Sequence, residues 1–163
     1  MMFEFEDVAD LEKVLLYEPW TNDKYLVAFW RLEGIVKPKN LVFNQTSFWV
    51  QIHDLSILSL KKESAMALER SIGRVMKTRE TDEELGGGRI MRIRVQVDIT
   101  KPLTRGHKIG LAKGGEGWVS FKFKRLPNFC YWGGLLTHSK KDCSFWLKNQ
   151  ETLRREDPGM VCG

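Results

Sequence analysis

The stretch RIMRIRVQVDIT, residues 89–100, decides the fold. Ile93, Val95, Val97 and Ile99 alternate with Arg92, Arg94, Gln96 and Asp98. A period of two sends successive side chains to opposite faces of a strand. The segment therefore reads as a strand with one apolar face and one polar face that is basic at its start. Pro102 ends it, because proline cannot donate to a ladder.

The same period recurs on either side. In SFWVQIHDL (47–55), Phe48, Val50 and Ile52 oppose Trp49, Gln51 and His53. In WVSFKFKRL (118–126), Val119, Phe121 and Phe123 oppose Trp118, Ser120, Lys122 and Lys124. KYLVAFWRL (24–32) is rich in β-branched and aromatic residues and predicts a strand buried on both faces. FEFE (3–6) and RVMKT (74–78) predict short strands, and RGHKIGLAKGGEGW (105–118) a strand running into a turn. Two segments have helical spacing. Val8, Leu11, Val14 and Leu15 follow a capping Asp7 and stop at Pro19. Ile57, Leu60, Met66, Leu68 and Ile72 mark a second helix over about 57–72, closed by Gly73. The order predicts an α+β fold: a mixed or antiparallel sheet with two helices on one face, ferredoxin-like, and a small C-terminal appendage. The expected division is an α+β domain over 1–126, with an acidic loop at 80–88, a ligand-bearing segment over 127–147, and a loosely ordered polar tail over 148–163.

Composition sets the class. With 42% hydrophobic residues, six tryptophans and nine phenylalanines, the chain folds around a core. It has no apolar run of about 18 residues, so no membrane span is expected. The opening MMFEFEDVAD has neither a basic leader nor a long apolar stretch, and no secretory signal is read there. The three cysteines, Cys130, Cys143 and Cys162, lie near the C-terminus. An odd count without a leader points to a reducing, intracellular compartment, nuclear or cytoplasmic. Residues 1–88 carry 11 Lys/Arg against 15 Asp/Glu, whereas residues 89–163 carry 15 against 6. That asymmetry suits contact between the C-terminal half and a polyanion.

Signatures of catalysis are missing. The glycines at 86–88 and 114–117 precede no Gly-Lys-Ser/Thr, and neither G-x-S-x-G nor H-E-x-x-H occurs. His53 lies on a strand face and His107 in a loop, each without a sequence-near partner. The expectation is a protein that is not an enzyme.

Chemistry concentrates in FCYWGGLLTHSKKDC, residues 129–143. Cys130, His138 and Cys143 stand at positions 0, +8 and +13. They match three ligands of the C-x2-C-x4-H-x4-C zinc knuckle, and Gly133 stands where the second cysteine belongs. Gly134 falls where the chain must turn tightly around a metal. Three outcomes stay open for zinc: weak or absent binding, retained binding by three ligands, and a water-bearing hydrolytic centre. No enclosed pocket or general base is read near a knuckle to support the last.

The stretch RLPNFCYWGGLLTHSKKDCSFWL resembles the zinc knuckle that closes a plant retrotransposon-associated family with an N-terminal domain of unknown function. YEPW, FWVQIHDL, SIGRVM and RIRVQVDITKPL resemble blocks of that domain, so the resemblance spans about residues 3–147. The chain departs from the family's pattern in the missing cysteine and in its start, which lacks an expected strand–helix–strand. The resemblance implies contact with single-stranded RNA or DNA. Lys122, Lys124, Arg125, Lys140 and Lys141 would meet phosphates. Tyr131 and Trp132 would stack on bases. Alternatively, Trp132, Phe145 and Trp146 form a small satellite core. Arg92 and Arg94 line a nucleic-acid surface or, alternatively, form a solvent-facing row that discourages edge pairing. A rival for the whole chain is a decayed remnant that docks proteins, or itself, through an exposed sheet edge.

Overall fold

The computed structural model describes residues 1–32, 41–53, 68, 70–81, 90–111 and 114–153. Helix α1 spans Val8–Leu16, and Asp7 caps it by accepting from the Ala9 amide at 2.8 Å. Strands β1 (Trp20–Asn22) and β2 (Tyr25–Val27) form a separate hairpin. Asp23 and Lys24 turn it, with φ of 47° and 67°. Two successive positive φ values match the twist of the flanking strands. β3 (Gln45–His53), β4 (Arg74–Thr81), β5 (Ile90–Asp98), β6 (Gly106–Gly110) and β7 (Glu116–Phe123) build one sheet in the order β4-β5-β3-β7-β6. Every pairing is antiparallel. Helix α2 spans Ser144–Leu153.

The fold is α+β. The order β7-β3-β5-β4 is that of a ferredoxin-like sheet, and β6 joins as an edge strand on the way from β5 to β7. Leu68 and residues 70–72 are helical and lead into β4. The rest of the helix expected over 57–72 lies outside the described residues. So do residues 82–88 of the acidic loop, whose first two residues belong to β4, and residues 154–163 of the tail. Residues 148–153 of that expected tail are helical, in α2.

The alternation at 92–98 is realised in register. Val50 faces Ile93 on β5 and Phe123 on β7. Phe48, Val50, Ile52, Ile93, Val95, Val97, Val119 and Phe121 form the buried face, each no more than 5% exposed. Leu68, Ile72, Leu103, Phe129 and Leu136 complete that core. At about 25 cal/mol per Å² of apolar burial, these side chains are the main favourable term in folding.

Three expectations are corrected. Residues 3–6 are not a strand: FEFE has no neighbour to bond, and Phe3 and Phe5 are exposed. Of 24–32, only Tyr25–Val27 is a strand, and none of its residues is buried. It pairs with β1 in a two-stranded hairpin outside the main sheet, where only Leu26 reaches the core and Tyr25 stays exposed. Arg94 is no solvent-facing guard of an edge. β5 lies inside the sheet, and Arg94 is 3% exposed. Its guanidinium donates to Leu15 O at 2.8 Å and Glu18 O at 3.3 Å and lies over the Trp49 ring. The end of α1 therefore covers one end of the polar sheet face. Glu18 is buried there, accepting from the Ser47 amide at 3.2 Å.

Candidate metal centre and the groove beside it

After β7 the chain folds back in a tight loop. Cys130 N donates to Leu135 O at 2.9 Å, and Gly134 N donates to Cys130 O at 2.7 Å. Gly134 has φ +70°, and a Cβ there would stand 3.0 Å from Pro102 Cβ. Only glycine meets both demands without strain. Leu103 N closes the contact by donating to Gly134 O at 2.8 Å. On the other side, Ser139 Oγ donates to Asp142 Oδ2 at 2.7 Å, and Lys140–Asp142 form a short 3-10 turn. That turn delivers Cys143 to the N-terminal end of α2.

The two arms bring Cys130, His138 and Cys143 together. Their ligand atoms lie within 4.8 Å of one another. Ligands held tetrahedrally at about 2.3 Å from zinc stand about 3.8 Å apart, so a small inward movement closes the set. Both cysteines are buried free thiols. Burial pushes the Cys143 thiol up. The Trp146 amide, the His138 and Cys130 side chains and the Phe145 amide pull it down further, to a net value of about 7. Burial raises the Cys130 thiol, and the Gly133 amide, which donates to its Sγ at 3.2 Å, opposes that rise in part.

The donor set fits zinc. His138 Nδ1 lies 3.0 Å from Thr137 Oγ1, the outer contact that orients a ligating imidazole. His138 Nε2 is buried without a well-formed hydrogen bond, an arrangement that costs stability unless something fills it. Cys130, His138 and Cys143 would hold the ion. At Gly133, where the second cysteine of a knuckle stands, a Cβ would lie 3.6 Å from Cys130 Sγ.

The aromatic residues divide. Tyr131 is exposed, with its ring edge-on to Phe129 at 5.1 Å. Trp132 is corrected: it is 3% exposed and stacks on Trp146 at 4.8 Å and 23°. With Cys130, Cys143 and Trp146 it makes a second small core, so its ring is not presented to a base. Phe145, expected in that core, is exposed instead. Lys122, Lys124, Arg125 and Lys141 are exposed, while the Lys140 side chain lies outside what is described.

Beside the metal loop runs an open groove of about 530 Å³. Arg125, Phe129 and Tyr131 line it together with Lys24, Thr21 and Ser139. Asn128 N donates to Lys24 O at 2.9 Å, and Arg125 Nη1 donates to Tyr17 O at 3.0 Å. These two bonds draw the turn of the first hairpin and the end of α1 onto the segment that follows β7. Sequence reasoning missed Lys24 and Thr21. They come from about 100 residues upstream, and nothing in their spacing signals the contact.

Residues 97–145 match the family described as "Zinc knuckle". The match begins well ahead of Cys130 and includes Pro102 and Leu103, against which Gly134 packs. A curated relative, "Uncharacterized protein At4g02000" of Arabidopsis thaliana, is 26% identical over 139 residues, covering 83% of this chain and 43% of that protein. The chain thus spans less than half the length of that relative. No solved structure matches the chain. No helix among the described residues is long and apolar enough to cross a membrane.

Proposed function

We propose that this chain is a non-enzymatic nucleic-acid-binding module of retroelement origin. In this reading a zinc ion held by Cys130, His138 and Cys143 shapes the surface that grips an unpaired strand. The observation that carries the reading is the convergence of cations and rings on one groove next to the metal cluster. Lys24 and Arg125 meet phosphates, and Tyr131 supplies a stacking face. The bond to Tyr17 O uses one of the five guanidinium donors of Arg125 and fixes the head, leaving donors for a phosphate. Charge supports the same reading, since residues 89–163 hold the whole positive surplus. Zinc acts here as a structural ion that fixes the loop, with the thiolates and imidazole as its ligands.

Fluorescence anisotropy with a labelled single-stranded oligonucleotide tests the reading. Affinity falls by orders of magnitude between about 50 and 200 mM salt if several phosphates are contacted. Tyr131→Ala weakens binding by about 1–3 kcal/mol. No binding at about 50 mM salt refutes it.

A further inference from the structure

Trp118, on β7, carries the observation. Its side chain is 57% exposed, on the polar face of the sheet. A Cβ on Gly106 of the neighbouring strand would meet three indole atoms at 2.4–2.8 Å. The ring therefore lies over a glycine, which leaves it room to rest against the sheet while its outer side meets solvent. In a strand, glycine forfeits side-chain packing and often marks such a close approach.

Four residues along β7 from this ring, about 13 Å away, the same face carries a row of basic residues around one glutamine. Arg79 on β4 is the register partner of Arg92 on β5, Arg92 is the partner of Gln51 on β3, and Gln51 is the partner of Lys122 on β7. The row crosses four strands, about 14 Å, without an acidic residue. Arg92 and Lys122 are both exposed. Lys108, the partner of Trp118 on β6, is already neutralised by Glu116 at 2.9 Å and adds no free charge. The α1 end covers the Arg94 side of this face. In the next row Gln51 is buried, while Arg92 and Lys122 on either side of it are exposed.

We infer that the open half of the sheet face is a second binding surface for an unpaired nucleic-acid strand. One base stacks on Trp118, and phosphates lie along Arg92 and Lys122. The inference rests on the nucleic-acid reading above but uses none of the groove's residues. Lys122 and Lys124, further along the same face of the chain, lead from Trp118 toward Arg125, so one strand can run from sheet to groove.

The test compares wild type with Trp118→Ala, Trp118→Phe, Arg92→Gln and Tyr131→Ala, using a single-stranded oligonucleotide of about 15 nucleotides and its duplex. Melting curves on the same samples report folding. Trp118→Ala is expected to weaken single-strand binding about fivefold or more, Trp118→Phe to restore it to within about twofold, and neither to change duplex binding. Arg92→Gln lowers the salt slope by about one while leaving the melting temperature unchanged. If Trp118→Ala and Arg92→Gln bind like wild type while Tyr131→Ala is weakened, the sheet-face site is overturned and the groove stands. Should Trp118→Ala misfold, a salt slope lowered by about one in folded Arg92→Gln together with retention by Trp118→Phe still supports the site, and a wild-type slope in Arg92→Gln overturns it. A wild type that binds no single strand at about 50 mM salt overturns both readings.

Discussion

The Gly133 amide donates to Cys130 Sγ at 3.2 Å, and a Cβ built on Gly133 would stand 3.6 Å from that same sulfur. Unlike Gly134, Gly133 has no left-handed backbone, so an L side chain fits there at ordinary contact distance. Position 133 has room for a ligating side chain, which glycine does not supply.

Gly133→Cys should therefore complete the coordination set. Chelator competition is expected to show zinc held at least about tenfold more tightly than by wild type, at one ion per chain. Equal affinities would mean that the loop does not aim position 133 at the metal.

Gly134→Ala should do the opposite. An alanine at φ +70° costs about 1–2 kcal/mol, and its methyl group would press on Pro102 at 3.0 Å. A lowered melting temperature together with weaker zinc retention is expected. An unchanged melting curve would show that the loop relaxes freely.

Arg94→Met keeps the bulk of a long side chain but removes two charge-assisted bonds, to Leu15 O and Glu18 O. Urea denaturation is expected to show a loss of about 2–3 kcal/mol. A cost below about 0.5 kcal/mol would mean that the end of α1 is not held by this residue.

Glu18 sets a pH dependence. Burial raises its carboxyl above the usual 4.5, against the Ser47 hydrogen bonds and the nearby Arg94 charge, which pull it down. A raised acid binds its proton more tightly when folded. Its stabilising contribution is thus complete below 4.5 and is lost as pH rises through the folded value. Glu18→Gln should flatten that part of the curve of urea midpoint against pH between about 4 and 7. A curve parallel to wild type would place the slope on other groups.

The sheet was legible where alternation was strict. Residues 92–98 and Phe48, Val50 and Ile52 took the faces that their period assigned, because one apolar side had a core to meet. The expectation failed where the segment lay outside the main sheet, as at Tyr25–Val27, which touches the core only through Leu26, and at the exposed Phe3 and Phe5. The metal cluster was legible from spacing alone, since three ligands at fixed offsets must converge if the loop turns at Gly134. Trp132 was misread as a base platform because sequence cannot tell a stacking ring from one held by Trp146, which lies fourteen positions later. Arg94 was misread because the covering element, α1, sits 78 residues earlier and carries no mark of its destination. Lys24 and Trp118 escaped for the same reason: their partners, Asn128 N and Gly106, are set by tertiary contact.

Phe129 and Leu136, from the two sides of the loop that follows Cys130, belong to the same core as Val50 and Phe121. A tug on the loop is consequently transmitted to the strands, and a metal ion that steadies it steadies the platform as well. Chelation should register as earlier, cooperative melting of the whole body rather than as fraying of one end.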